Sequence, residues 1–312
     1  MDSAPRVLVL TGTTASGKTE VSIPLAQCLN AEIINADSRQ VFRELYIGTA
    51  PPTEAQLAAV PHHFVRSMSL KERWSAGDFA RAARKRIESL IDRGRRAVVV
   101  GGSMLYLKAL LDGLYDSDAE PELNYAALKA EWDRRGGDEM MRELREVDPS
   151  MADRTLSGDH HRALRAIGFF RATGERLSDR MRSTTVPLQH RFKLYFLYGD
   201  RAETYERVNA RADEMIANGL VDEVRALAAA GFTERNCNAL RTHGYQEVFP
   251  YLRGECDHAA MRAAIQQAVR HYVKRQLTWY RRDPRAIWTE RSFTEPADAV
   301  ARRIANDFVE ST

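Results

Sequence analysis

The chain has 312 residues, 44% hydrophobic and 29% charged, with a formal net charge of +3, the balance of an ordinary globular protein. No apolar run approaches the roughly 20 residues that a membrane helix needs, and "VLVL" near the start is too short for a signal segment. Cys28, Cys237 and Cys256 are scattered, which argues against a disulfide framework or a C-x-x-C zinc site, so a cytoplasmic protein without a membrane partner is expected.

In chain order, the first element is the β-branched run "RVLVL" at 6–10, followed almost at once by "GTTASGKT" at 12–19. A helical pattern, "KTEVSIPLAQCLN", leads to a second strand, "AEIINA" at 31–36. The helix "AGDFARAARKRIESLIDRG" closes on Gly94, which reads as its C-cap, before a third strand, "RRAVVVGG" at 95–102. Strands alternating with helices indicate a parallel sheet covered on both faces. From about Leu114 to Pro187 the alternation breaks into helical segments: "PELNYAALKAEWDRRG", "DEMMRELREVD" and "HHRALRAIGFFRATG". The sheet resumes at "RFKLYFLYGD", 191–200, and the remainder reads as helical, including "HAAMRAAIQQAVRHYVKRQLTWYRR". The expected fold is therefore α/β, a P-loop NTPase-like core with a parallel sheet flanked by helices. Residues 1–114 and 188–312 form that core, and 115–187 a helical insertion domain.

Charge is unevenly spread. Residues 151–193 carry 9 Lys and Arg against 4 Asp and Glu, and residues 266–303 again 9 against 4. Two basic regions in a nearly neutral chain suit a polyanion, or else are solvated helix faces.

"GTTASGKT" fits G-x-x-x-x-G-K-[ST] between a strand and a helix, a loop that wraps backbone N–H groups around a pyrophosphate. Gly12, Thr13, Thr14, Ala15, Ser16, Gly17, Lys18 and Thr19 are the expected diphosphate ligands. The amides of Thr13 to Lys18 should face the oxygens, with Lys18 adding charge and Thr19 offering a hydroxyl to Mg²⁺. A nucleotide-hydrolysing P-loop protein places an acid at the end of another strand, yet the third strand ends "VVVGGS" without one. The second ends "INADSRQVF" and delivers Asp37 to the carboxyl edge, where ligands of such sheets bind. Asp37 could assist a metal, act as a base, or merely cap a helix with Ser38.

The segments "GTTASGKT", "INADSRQVF", "IGTA", "PHHF", "SAGDF", "VVVGGSMLYLKALLDGL", "RADEMIANGLVDEV", "RTHGYQEV" and "KRQLTWYRR" occur in this order. In that series the chain resembles the bacterial tRNA dimethylallyltransferases over nearly its whole length. The resemblance implies transfer of a dimethylallyl group from dimethylallyl diphosphate to N6 of the adenosine 3′-adjacent to the anticodon, in tRNAs reading codons that begin with U. It implies Asp37 as the base on a poorly nucleophilic amine and Arg211, preferred to Arg207, on the departing diphosphate. Ser103, where the family usually has Thr, keeps a hydroxyl beside the reacting centre.

For the tRNA anticodon stem-loop, the resemblance points to Asp37, Ser38, Arg39, Gln40 and Ser103. It adds His161, Arg162, Ala163, Leu164 and Arg165, then Arg241, Thr242, His243, Gly244, Tyr245 and Gln246. The last group is Lys274, Arg275, Gln276, Leu277, Thr278, Trp279, Tyr280 and Arg281. Spacing alone puts Met261, Ile265, Val269, Tyr272 and Val273 on a core-facing row of this last helix. Arg270, Lys274 and Arg281 form a basic stripe elsewhere, and Trp279 is expected to pack rather than stack. The chain departs from the family at Thr13, usually proline, at Asn124, often an arginine that meets RNA, and at His161 and Gln246. His62 and His63 read as structural. A monomer is expected. A small-molecule kinase or a free-adenylate isopentenyltransferase would reuse the loop and Asp37, but would leave the two basic regions without a purpose.

Overall fold

The computed structural model describes residues 6–114, 121–156, 158–184 and 186–310. Packing divides the chain into two compact units: Met1–Leu110 with Leu188–Thr312, and Leu111–Pro187.

The first unit is built on a six-stranded, wholly parallel sheet in the order β3-β2-β4-β1-β5-β6. The strands are β1 (Val7–Gly12), β2 (Ala31–Asn35), β3 (His62–His63), β4 (Arg96–Val100), β5 (Phe192–Tyr198) and β6 (Ala286–Glu290). Around them lie α1 (Lys18–Cys28), α2 (Glu54–Ala59), α3 (Ala76–Asp92) and α4 (Met104–Asp112). The α/β core expected from the sequence is the fold observed. Two strands are additions to it: β3 has only two residues, and β6 interrupts a region that reads as helical throughout.

The local causes are readable. β1 is buried along its length, as a parallel strand covered on both faces must be. Ser75 and Asp78 form a reciprocal capping box at the start of α3, with Asp78 N–H donating to Ser75 Oγ at 3.1 Å and Ser75 N–H to Asp78 Oδ2 at 2.8 Å. Past its end, Gly94 takes φ +70°, the left-handed turn expected of it. On one side of the sheet, Leu8 and Leu10 pack with Val21 and Leu25 of α1 and with Val300, Ile304 and Phe308 of α14 (Ala297–Glu310). Each such burial contributes about 1.5–3 kcal/mol, and Leu8→Ala would remove about 2–5 kcal/mol. A second cluster joins Val41, Phe42 and Leu45 to α10 (Arg201–Ala217), α11 (Leu220–Ala229), α12 (Val248–Leu252) and α13 (His258–Tyr280).

The other unit is helical: α5 (Tyr125–Arg135), α6 (Gly137–Val147), α7 (Pro149–Arg154), α8 (His160–Thr173) and α9 (Leu177–Thr184). Met140, Met141, Leu144, Leu164, Ile167 and Phe169 form its core. Buried Asp148 joins two of its helices, accepting from Met151 N–H at 3.1 Å and from Ser178 N–H at 2.8 Å.

Candidate active site

The P-loop starts where β1 ends. Gly12 has φ +151°, and a Cβ there would lie 2.1 Å from the Leu197 carbonyl oxygen, so β5 approaches too closely for any side chain. Thr13 N–H donates to that same oxygen at 3.2 Å, a bond the more usual proline could not make. Ser16 N–H turns back to the Thr13 carbonyl at 3.2 Å, and Gln276 Oε1 of α13 takes Thr14 N–H at 2.9 Å. The expectation that every amide from Thr13 to Lys18 faces the ligand is thus corrected: three are held by the protein. The amides of Ala15, Gly17, Lys18 and Thr19 have no acceptor among the described residues.

Lys18 Nζ folds back onto the carbonyls of Thr13, at 2.7 Å, and Gly12, at 3.1 Å. Burial lowers its pKa to about 7, Arg211 adds to the effect, and Asp37 opposes it. An anion entering the loop would restore the charge.

Asp37 follows β2 as the sequence suggests. Its Oδ1 accepts from Arg39 N–H at 2.8 Å and from Gln40 N–H at 3.3 Å. It does cap, but it caps a turn and no helix follows, leaving Oδ2 without a donor among the described residues. Ser103, just beyond β4, accepts from Ser38 N–H at 2.9 Å and donates to Ser38 Oγ at 3.1 Å, tying the third strand's end to that turn.

Two arginines of α10 divide the labour. Arg211 is held below its usual pKa, first by burial and then by Arg207, while Asp37 and the glutamates Glu214 and Glu20 pull it back up. Arg207 donates from Nε to the Ala15 carbonyl at 3.2 Å, with its guanidinium 4.3 Å from the centre of the Phe293 ring. Arg207 therefore anchors the loop, and Arg211 shares the cavity wall with Lys18 and Asp37.

That cavity has a volume of about 1330 Å³ and is lined along one side by α13. Tyr272, Gln276 and Tyr280 recur every fourth residue and so share one helix face. Tyr272 donates to the Gly102 carbonyl at 2.7 Å, and Gln276 Nε2 to the same oxygen at 3.1 Å. Tyr280 Oη accepts from Thr11 Oγ1 at 3.3 Å. The His243 ring lies 4.6 Å from that of Tyr272. Burial drives the His243 pKa down to about 4, outweighing Asp37, with Arg275, Arg39 and Arg211 acting in the same direction as burial. The imidazole is neutral at pH 7 and acts there as an aromatic wall.

Residues 40–283 match the family model described as IPP transferase. Over 296 residues the chain is 40% identical to tRNA dimethylallyltransferase 1 of Pelobacter propionicus, spanning 92% of this chain and 93% of that protein. The chain belongs to the IPP transferase family. Among solved structures it is similar to the tRNA isopentenylpyrophosphate transferase of Bacillus halodurans, with 30% identity and a TM-score of 0.72 over 98% of this chain and 97% of that one. It also shares the fold of a eukaryotic dimethylallyltransferase acting on tRNA, with a TM-score of 0.82 at 24% identity over 98% of this chain and 80% of the other.

The residues that the IPP transferase resemblance assigns to tRNA divide into three groups. Asp37, Ser38, Arg39, Ser103, Thr242, His243, Gly244, Arg275 and exposed Arg241 and Gln246 line the cavity. Gln40 lines it too, but its side-chain amide is committed to the carbonyls of Thr49, at 3.1 Å, and Ala50, at 3.2 Å. A second group turns inward. Ala163 and Leu164 are in the core of the helical unit and Tyr280 faces the P-loop strand, while Gln276 and Tyr245 border the cavity but have their polar atoms engaged, Gln276 with Thr14 and Gly102 and the Tyr245 hydroxyl donating to Glu223 at 2.5 Å. The side chains of Ala163, Leu164 and Tyr280 are shut off from solvent by packing, which corrects the expectation that those three side chains meet RNA. The third group is exposed: His161 and Arg162 on α8, then Lys274, Thr278, Trp279 and Arg281 at the end of α13. Arg165 and Leu277 are half-buried.

Trp279 is 40% exposed rather than packed. Met261, Ile265 and Val273 are buried as their spacing requires, whereas Tyr272 becomes a wall of the site. Arg270 leaves the basic stripe and donates to Asn209 of α10 at 2.6 Å. Asn124 caps α5, accepting from Ala127 N–H at 3.0 Å. His63 pairs with Glu32 at 2.7 Å, at the amino end of β2 and away from the P-loop. The reading of the sequence missed Arg291, 5% exposed, which reaches the P-loop from the residue after β6. No local pattern marks it.

Proposed function

We infer that this chain transfers the dimethylallyl group of dimethylallyl diphosphate to N6 of the adenosine 3′-adjacent to the anticodon of tRNA, releasing diphosphate. The observation that carries this reading is the pairing, in one cavity, of a P-loop with four open amides and Asp37, whose Oδ2 has no donor among the described residues. The N6 lone pair is delocalised into the adenine ring, so attack needs its proton removed. Asp37 Oδ2 accepts that proton as the N6–carbon bond forms and the carbon–oxygen bond to diphosphate breaks. Lys18, the amides of Gly17 and Lys18, and Arg211 stabilise the charge that builds on the leaving group. Ser103 acts through Ser38 by holding the turn that carries Asp37.

Mg²⁺ fits this donor set in a limited way. It prefers hard oxygens, keeps waters and commonly shares its ligands with substrate phosphates. Among the described residues no group of three His, Cys, Asp or Glu could hold a metal, so Thr19 and the donor's own oxygens would carry the ion. Its chemistry there would be to neutralise the departing diphosphate.

For tRNA, exposed His161 and Arg162 of α8, with Lys274, Arg275 and Arg281 of α13, offer positive or aromatic contacts to the anticodon stem-loop. In this reading residues 115–187 are the tRNA-contacting insertion, and the target base is flipped out into the cavity. Among the described residues no helix is long and apolar enough to cross a membrane. We assign the protein to the cytoplasm as a monomer. The test is to offer labelled dimethylallyl diphosphate with tRNA, free AMP or ATP as acceptor, beside a parallel arm with γ-labelled ATP. Label in tRNA alone is expected. Label in AMP or ATP would mark the free-nucleotide enzyme, and phosphate transfer from ATP would mark a kinase.

A further inference from the structure

Arg291 Nη1 donates to the carbonyls of Ser16, at 3.2 Å, and Gly17, at 3.3 Å, while Nη2 meets Glu20 Oε2 at 2.9 Å. Its own backbone is fixed to the sheet, with Arg291 N–H donating to the Tyr198 carbonyl at 2.8 Å. In a planar trans peptide the C=O of one residue and the N–H of the next point in opposite directions. Holding the carbonyls of Ser16 and Gly17 therefore aims the amides of Gly17 and Lys18 away from Arg291. Those amides are two of the four loop N–H groups with no acceptor among the described residues. The guanidinium also fills the space that glycine leaves: a Cβ on Gly17 would lie 1.6 Å from Nη1.

We propose that Arg291 is a positioning residue for the donor's diphosphate, orienting the Gly17 and Lys18 amides from behind the loop without touching the substrate. The proposal rests on the reading of the loop as the diphosphate site. Glu20 is part of the device, because it fixes the guanidinium's second nitrogen and balances its charge. A lysine could not replace the arginine fully, since one ammonium cannot span two carbonyls and a carboxylate with the same fork.

The test is titration of the full chain with inorganic pyrophosphate, together with steady-state kinetics in which dimethylallyl diphosphate and tRNA are varied separately. Arg291→Ala should lose about tenfold or more in pyrophosphate affinity and in kcat/KM for the donor, with KM for tRNA within about twofold of wild type. Arg291→Lys should fall between, and added guanidinium should restore part of the Arg291→Ala loss. If Arg291→Ala does not fold, Glu20→Gln supplies the readout, with a loss of about two- to fivefold on the donor side alone. Full pyrophosphate affinity in Arg291→Ala, or in Glu20→Gln where that variant has to serve, overturns the proposal even if melting temperature drops. Wild-type protein that does not bind pyrophosphate would overturn the reading of the loop itself, and the proposal with it.

Discussion

At the carboxyl edge of the sheet, Lys18 and Arg211 are desolvated. In the helical unit, Arg135 and Arg171 have carboxylate partners in excess. Among the described residues Lys18 Nζ bonds only carbonyls and has a pKa brought down to about 7, and Arg211 is likewise held below its usual value. Arg135 of α5, by contrast, meets Glu131 at 2.6 Å, Glu139 at 2.8 Å and Glu143 at 2.7 Å, which raises its pKa. Arg171 of α8 shares Glu131 and Glu143, and hydrogen bonds from the two arginines hold Glu131 at about 2. A cation whose charge the fold already satisfies can offer little to a ligand. One that the fold desolvates and leaves unanswered gains most when an anion arrives. The difference separates scaffold from working surface.

The largest effect expected from that division concerns Asp37. Asp37→Asn keeps an Oδ1 that can accept from Arg39 and Gln40 N–H, but cannot take a proton from N6. Single-turnover transfer should fall by about 10²–10⁴-fold while tRNA binding persists. A rate within a few fold of wild type would reduce Asp37 to a turn cap.

Lys18→Met should come next, weakening pyrophosphate binding by about 1.5–3 kcal/mol, the range for hydrogen bonds to charged groups. Wild type adds a pH signature. Unfolded chains hold the lysine proton to about its ordinary value of 10.5, while the folded, unliganded loop releases it near 7. Between those values the unfolded state binds more protons, so this group makes stability rise with pH. Diphosphate binding takes the proton back, so affinity should fall as pH rises above about 7. A pyrophosphate titration flat from pH 6 to 9 would show that Lys18 is charged before the ligand enters.

Exposed charges at the end of α13 should matter less. Lys274 and Arg281 lie seven residues apart, within about 20° on the helix. Replacing both with alanine should make the slope of log tRNA affinity against log salt shallower by about 0.7–0.9 per lost contact, with transfer on saturating tRNA preserved. An unchanged slope would take them off the RNA path. The smallest effect belongs to the scaffold: Arg171→Met should lower the melting temperature by less than about 4 °C, because solvent screens such pairs, and leave pyrophosphate binding unchanged. A matching loss of pyrophosphate affinity would break the division between the two regions.

What the sequence made legible follows from how local the cause is. β1, β2, β4 and β5 are β-branched runs bounded by turn residues, and the P-loop and Asp37 sit immediately after two of them. β6 is five residues, "AIWTE", with Ile287 and Trp288 partly exposed, so neither alternation nor full burial marks it as a strand. The α13 motif gave positions but not the helix's rotation: Gln276 and Tyr280 face the loop, while Lys274 and Arg281 face solvent. That rotation is fixed by Gly102 and Thr14, far away in the chain. Arg291 is the extreme case, with partners that only the folded sheet brings near.

The same distance has a consequence during synthesis. The Thr14 amide waits for Gln276, 262 residues later, and the Ser16 carbonyl waits for Arg291, 275 residues later. At the usual pace of about 5–20 residues per second, the ribosome needs roughly 14–55 s to make those 275 residues. Through that interval the nascent chain carries the GTTASGKT segment without these two contacts. The loop reaches its final form only after Arg291 has been made and has folded back onto it.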